Sequence, residues 1–370
     1  MAIRARLSTS SSCVPHPFLR LLCSLSYPPH IAIIQVPVCR AICTCSASAV
    51  LAYPADIILS YLSKRTLRGV RRAAQGTAHV VSALSKHVLD IRCSTAVSAV
   101  RLGGGSIGDS QPALRLQGSS EWLSFDAIIM ATPPTVSAAL LRPTSPGSSS
   151  DASFSRVLEG FKSEGSQLVL HCDPSCMPAD KSLWSSVNFA LVSPSSTEAP
   201  AAASASGPAA AAVTYNAQAC IWLNAAQHNS TPSMPQRQLL QTWNPLKLIA
   251  PEHILTSSEF QRPLCSISSV QLLKQLWALQ GQGGVFVCGS YCTHSMPLLE
   301  SAVTSALEIV GGRLGAVLPW DYDRPCLYKD IDFKLKNCKL DFQMVSGRVV
   351  AAGTASAALL LAAAVYFKMR

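Results

Sequence analysis

The chain has 370 residues, a formal net charge of +10 at neutral pH and 49% hydrophobic residues. That length holds two compact domains. The positive charge does not mark a nucleic-acid binder, because the lysines and arginines are scattered and form no patch interleaved with aromatics. The fourteen cysteines include no pair of CxxC knuckles, which excludes a zinc ribbon and a small disulfide framework and leaves reduced, mostly buried thiols.

No acidic residue precedes Asp56, whereas Arg4, Arg6, Arg20 and Arg40 are basic and serines cluster from Ser8 to Ser12. An acid-free start of this kind has the pattern of a plastid or mitochondrial transit peptide, so residues 1–52 read as a leader or an unstructured segment. Non-coding sequence read through into the frame produces the same look. Ala55 to Leu67 and Thr77 to Leu89 carry apolar residues at helical spacing and predict two amphipathic helices. Ile91 to Val100 predicts a strand that pairs with Ala113 to Leu116 across a glycine-rich turn. The turn, Gly103-Gly104-Gly105-Ser106-Ile107-Gly108, fits GxGxxG letter for letter. That motif works where a strand runs straight into a helix whose amino end meets pyrophosphate, and a second strand follows here, so these glycines are a hairpin tip. Asp126 to Ala131 is a short apolar run of the kind buried on both faces of a parallel sheet, ended by Thr132-Pro133-Pro134. A helix beyond Val136 and a serine-rich loop from Ser145 to Ser155 follow.

From Gly165 to Asn244 the pattern turns strand-like, over Gln167 to His171, Val187 to Val192 and Ala212 to Tyr215, and predicts a half-buried antiparallel sheet. Residues 193–211, crowded with serine, proline and alanine, predict a disordered insertion. His171 and Cys172 are neighbours on a strand and point to opposite faces, so they do not form a nucleophile and its base. Trp184, Trp222, Trp243, Trp277 and Trp320 are core and rim residues, and Leu272 to Leu279 is a helix. Gly283 and Gly284 then close a turn, Val285 to Cys288 form an apolar strand, and Gly289-Ser290-Tyr291 opens a loop. Pro297 suits the first turn of the next helix, Gly311-Gly312 stops it, and Leu299, Ala302, Val303, Ala306, Leu307 and Val310 form one buried stripe. A buried strand that breaks at glycine and feeds a helix gathers backbone N–H groups at one point, as open α/β sheets do for anionic cofactors. Cys288, Cys292 and His294 lack a fourth ligand at finger spacing, and no metal site is expected. After a linker over 321–347, Val349 to Phe367 is free of charge between Arg348 and Lys368. At about 1.5 Å per residue this run spans about 28 Å, so 348–367 predicts a single transmembrane helix that tethers the chain to a membrane. Its alanine content leaves a soluble packed helix as the alternative.

The runs FVCGSY, LLESAVTSALEIV and LPW, preceded in order by YPADIILSYL, IRCSTAVSAV, FDAIIMATPP, LVLHCDPSCMP, LWSSVNF, VTYNAQ, TWNP and PEHIL, resemble the flavin-containing amine oxidase-like oxidoreductases. The nearest branch is the predicted FAD-binding proteins found beside, or fused to, cyclopropane fatty-acid synthases. The resemblance runs from Tyr53 to Trp320. It implies an α/β fold in which residues 53–146 and 276–320 form a partial Rossmann-like FAD/NAD(P)-binding domain and residues 147–275 an antiparallel-sheet substrate domain. It also implies FAD as cofactor and hydride transfer from a small-molecule substrate that is hydrophobic or lipid-linked. By resemblance, Val97 reaches the adenine through its backbone and Ala131, Thr132 and Pro133 close over the cofactor. Gly289, Ser290, Tyr291, Leu299, Ser301 and Ala302 approach its pyrophosphate and flavin, while no residue is marked as catalytic. Two departures stand out. The strand, GxGxxG and helix that open the family's fold are not found ahead of Tyr53, and Pro297 and Leu298 stand where the family has an acidic residue and a glycine. They make a catalytically inactive, membrane-anchored remnant acting as a binding or scaffolding protein the alternative function.

Overall fold

The computed structural model describes residues 39–63 apart from 41, then 73–104, 111–142, 149–192, 216–226 and 237–318. The leader before residue 39, the insertion over 193–211 and the apolar run over 348–367 lie outside the described residues. Among the described residues no helix is long and apolar enough to cross a membrane.

Helices α1 (Ala47–Ala52) and α2 (Ala55–Ser63) open the described chain. Ser46 caps α1 by accepting from the Ala49 N–H at 3.2 Å, and its own N–H and hydroxyl donate to the Glu164 carboxylate at 3.1 Å. A cap of this kind satisfies donors that the first turn leaves open. Residues 39, 40 and 42–52, part of the stretch that reads as leader in the sequence, are therefore folded here. Cys39, Cys45, Val50 and Leu51 join Tyr53, Ile57, Ile58, Cys265 and Met296 in one buried cluster. Helix α3 (Gly76–Ser85) has no buried residue. Its Val80, Val81 and Leu84, expected to form a packed stripe, are exposed.

Strands β1 (Val97–Arg101), β2 (Ala113–Leu116) and β3 (Trp122–Ser124) form an antiparallel meander. The hairpin matches the sequence reading, except that β1 starts only at Val97, after a positive-φ residue at Ser94. The third strand was not anticipated. Its Trp122 holds the sheet from the side, with the Arg101 and Arg115 guanidinium groups 4.9 and 5.2 Å from its ring. The chain continues into β4 (Ile128–Met130), α4 (Pro134–Leu140) and α5 (Ser149–Gly160). The serine-rich stretch expected as loop thus becomes helix from Ser149 onward, because Phe154, Val157 and Leu158 give it a buried face toward Ala138 and Leu141.

Five strands follow: β5 (Ser163–His171), β6 (Val187–Val192), β7 (Asn216–Trp222), β8 (Leu240–Trp243) and β9 (Ile254–Pro263). They pair antiparallel in the order β6-β7-β8-β5-β9. Alternation puts Val169, His171, Cys220, Leu240 and Thr242 on one side, where Cys176, Met177 and Ile249 complete a buried cluster with Trp184 and Trp222. Leu168, Leu170, Phe189, Ile221 and Trp243 are half-buried on the other. Strand β9 escaped the sequence reading because most of it is exposed and polar, so it carries no apolar alternation to detect.

Helix α6 (Ile267–Leu279) starts at a reciprocal cap between Ser266 and Ser269. It leads to β10 (Val285–Val287), which pairs parallel with β4, Ile128 opposite Val285 and Met130 opposite Val287. Met130, Val285, Val287, Leu276, Leu141 and Phe154 share the central core with Tyr291. Helix α7 (Leu299–Leu307) then runs into a π-helical segment, Glu308–Arg313. Three expectations fail here. The helix begins two residues beyond Pro297, Gly311 and Gly312 lie inside the π turns, and the buried residues are Ser301, Ser305, Glu308 and Ile309. Leu299 and Val303, placed on the buried stripe from spacing, are 80% and 44% exposed. Hydrogen bonding sets this rotation, because the two serines must face the loop that precedes the helix.

Candidate functional site

Parallel pairing brings the carboxyl ends of β4 and β10 side by side, and the Cys288 N–H extends the ladder to the Met130 carbonyl at 2.9 Å. The chain leaves these ends through Ala131-Thr132-Pro133 and Gly289-Ser290-Tyr291. The two turns are joined by the Tyr291 hydroxyl, which donates to the Thr132 carbonyl at 3.2 Å. Phe161 meets the Tyr291 ring edge-on at 5.3 Å, and burial pushes the phenol well above its ordinary pKa, so it stays a donor. Gly289 is required by space. A Cβ there would lie 2.8 Å from the Tyr291 ring, and the Cys292 N–H closes the turn onto the Gly289 carbonyl at 3.0 Å.

Helix α7 supports this loop through its serine edge. The Ser305 hydroxyl accepts from the Gly289 N–H at 3.0 Å and lies 3.1 Å from the Gly289 carbonyl, while Ser301 donates to the Met296 carbonyl. From the other side the Trp277 indole N–H donates to the Cys292 carbonyl at 2.8 Å. The loop is fastened to α2 as well, by His294 and Asp56 at 2.6 Å, with side chains only 6% and 19% exposed. The second carboxylate oxygen of Asp56 is buried without a partner.

Of the residues assigned to the cofactor by resemblance, Thr132, Gly289, Ser290, Tyr291 and Ser301 gather in this cluster. Ala302 is half-buried beside it, and its N–H bonds the Leu298 carbonyl at 3.3 Å. Ala131, Pro133 and Leu299 stand on an exposed rim, and Val97 connects only through packing on the central core. The interior does not fit a flavin. Beside Tyr291, Thr293 and His294 the cavity is about 10 Å³, bounded by Ile57, Cys265 and Leu273. That is room for no more than about one water, against roughly 300–1,000 Å³ for a small-molecule site. Ile57 closes it from the side of α2.

A larger cavity of about 210 Å³ lies on the covered face of the five-stranded sheet, lined by Cys176, Met177, Asn188, Ala190, Gln218 and Lys247 among others. The Gln218 amide is already engaged there, by the Cys176 carbonyl at 3.3 Å and the Leu246 N–H at 2.8 Å. Next to it His171 is fully buried. Its Nδ1 accepts from the Asp173 N–H at 3.2 Å and its Nε2 donates to the Thr242 hydroxyl at 2.8 Å, and burial lowers its pKa, so the ring is neutral. Cys172 points away from His171, as the strand rule requires, but lies 3.8 Å from Nδ1 of His253. That cross-sheet pair was not legible from sequence, because it depends on β9 lying next to β5.

No protein-family model matches the chain, and no curated protein matches it. Solved structures show partial likeness. A CLA-producing fatty acid isomerase from P. acnes is 10% identical, with 80% of this chain and 73% of that chain covered and a TM-score of 0.42. A reduced UDP-galactopyranose mutase is 11% identical over 70% of this chain and 55% of that chain, with a TM-score of 0.40. An oxidoreductase from Methanosarcina mazei is 11% identical over 59% of this chain and 49% of that chain, with a TM-score of 0.32. The chain spans about half the length of the latter two. Likeness at this level is one of partial outline and assigns no activity.

Proposed function

We propose that this chain is an oxidoreductase of the FAD-dependent, amine oxidase-like class, acting on a hydrophobic or lipid-linked small molecule. One observation carries the reading. Strands β4 and β10, from either side of an inserted antiparallel sheet, pair in parallel and end in turns that meet at Tyr291 and Thr132. Such a layer, left and re-entered by the chain, is where open α/β sheets place a dinucleotide. The order of sequence matches from Tyr53 to Trp320 supplies the flavin, and the branch beside cyclopropane fatty-acid synthases supplies the substrate class. Because the cavity beside Tyr291 is closed by Ile57, Cys265 and Leu273, binding requires this lining to withdraw. Titration of the purified full chain with FAD, followed by flavin absorbance and fluorescence, tests this. Saturable binding of one FAD per chain is expected, and a colourless protein that leaves added FAD free would sink the reading.

The second reading is a catalytically inactive binding or scaffolding protein. It is favoured by the 10 Å³ cavity and by a glycine loop whose polar groups are engaged internally. In either case a membrane tether through residues 348–367 and an organelle leader belong to the proposal, on sequence grounds. Carbonate extraction of native membranes checks the tether, and release into the soluble fraction counts against it.

A further inference from the structure

Sulfur atoms from three separate parts of the chain meet in the buried cluster between α2 and the loop after β10. Cys39, Cys43 and Cys45 come from the segment before α1, Cys265 from the turn before α6, and Met296 from the loop. The Cys43 Sγ lies 3.6 Å from the Met296 Sδ. Cys45 neighbours the same thiol and, together with burial, pushes its pKa up. Thr44, between Cys43 and Cys45, is buried and held at φ 52°. A β-branched residue in that conformation costs roughly 1–3 kcal/mol, a strain that recurs where a chain clamps a ligand. Arg262 stands alongside. Its Nε is buried without a hydrogen-bond partner while its guanidinium lies 4.6 Å from the Trp243 ring, and burial lowers its pKa against the opposing pull of Tyr53, Cys43 and Cys45.

We infer that Cys43, Cys45 and Met296 form a binding site for Cu(I), held by two thiolates and one thioether with the Arg262 guanidinium as counter-charge. Soft sulfur donors select Cu(I), whereas structural Zn(II) takes four tetrahedral ligands of cysteine, histidine or carboxylate. Among the described residues no group of three or more His, Cys, Asp or Glu is placed to hold a metal. The third donor here is a thioether, which zinc does not use. On binding, two S–H bonds break and two Cu–S bonds form. Both protons leave to solvent, copper stays in the +1 state, and the two-thiolate complex carries one negative charge opposite Arg262. The site does not depend on flavin binding.

The test uses the full chain, reduced and kept anaerobic, with Cu(I) supplied as its acetonitrile complex and bicinchoninate as competitor. Other thiols bind copper, so the readout is the difference between variants. The double variant Cys43→Ser/Cys45→Ser is expected to lose one equivalent of tightly held Cu(I), while Cys93→Ser, which removes an exposed thiol, keeps it. Met296→Leu conserves volume and Arg262→Gln keeps the stem. Each is expected to weaken the affinity about 10- to 100-fold, with an unchanged thermal melt of the metal-free protein. X-ray absorption should show sulfur alone around copper. The inference is overturned if the double variant binds as the parent does, or if copper shows nitrogen or oxygen ligands. Should the double variant fail to fold, unchanged affinity in Met296→Leu overturns it equally.

Discussion

The contact between His294 and Asp56 concentrates more of the architecture than any other side-chain pair, because it bolts α2 to the loop that follows β10 across a distance of 238 residues in sequence. Both groups are largely out of water, and one Asp56 oxygen already lacks a partner. Removing one member of such a pair strands the other in a medium that solvates it poorly. Asp56→Ala is therefore expected to lower the unfolding free energy by about 3 kcal/mol, measured by urea denaturation, and a loss below about 0.5 kcal/mol, as for an open surface site, would show the pair to be solvated. Neither residue stood out in the sequence. Asp56 is the first acid after a basic leader and His294 follows two cysteines, and no local pattern reveals a partner brought in by tertiary packing. Gly289 and Tyr291 were legible, because a glycine that ends an apolar run has few explanations besides close approach.

Among the elements, α7 teaches most about the limits of periodicity. Apolar spacing located the helix correctly but chose the wrong face, since Leu299, Val303 and their neighbours recur as a core stripe does, while Ser301 and Ser305 take the inside. Two hydroxyls that satisfy the loop's backbone outweigh the burial of two aliphatic side chains, because a buried N–H or carbonyl left without a partner costs about 1–3 kcal/mol. Val303→Lys is accordingly expected to change stability by no more than about 0.5 kcal/mol and to reduce light scattering in concentrated samples. A loss of about 2 kcal/mol or more would show that this face is packed, as a large-to-small core change would. The β1–β2 hairpin, the β4 run and the β10 turn were readable in advance because hydrophobic alternation and glycine placement are local. Strands β3 and β9 were not, because Trp122–Ser124 is too short and Ile254–Pro263 too polar to leave a pattern.

At the level of the whole molecule, burial of thiols ties stability to alkaline pH. Desolvation pushes Cys39 and Cys265 up to about 12 and Cys220 up to about 11. In the unfolded chain these groups titrate near their ordinary values, about 8.5. Between those limits the folded state holds more protons than the unfolded state, so the unfolding free energy falls as pH rises. Each such thiol contributes its full stabilisation below about pH 8.5 and loses it at about 1.4 kcal/mol per pH unit above that value. Denaturation midpoints should stay flat through neutrality and drop steeply from about pH 9, and a Cys220→Ala variant should show a shallower decline over the lower part of that window. The β4–β10 pair carries a different consequence. During synthesis, Ile128 emerges long before Val285, its partner. The ribosome must deliver the whole intervening sheet and α6 before the older strand finds its mate, and the entropy of closing so long a loop falls on that last event. Until then β4 waits with both hydrogen-bonding edges open, the condition under which nascent chains recruit chaperones or stick to one another.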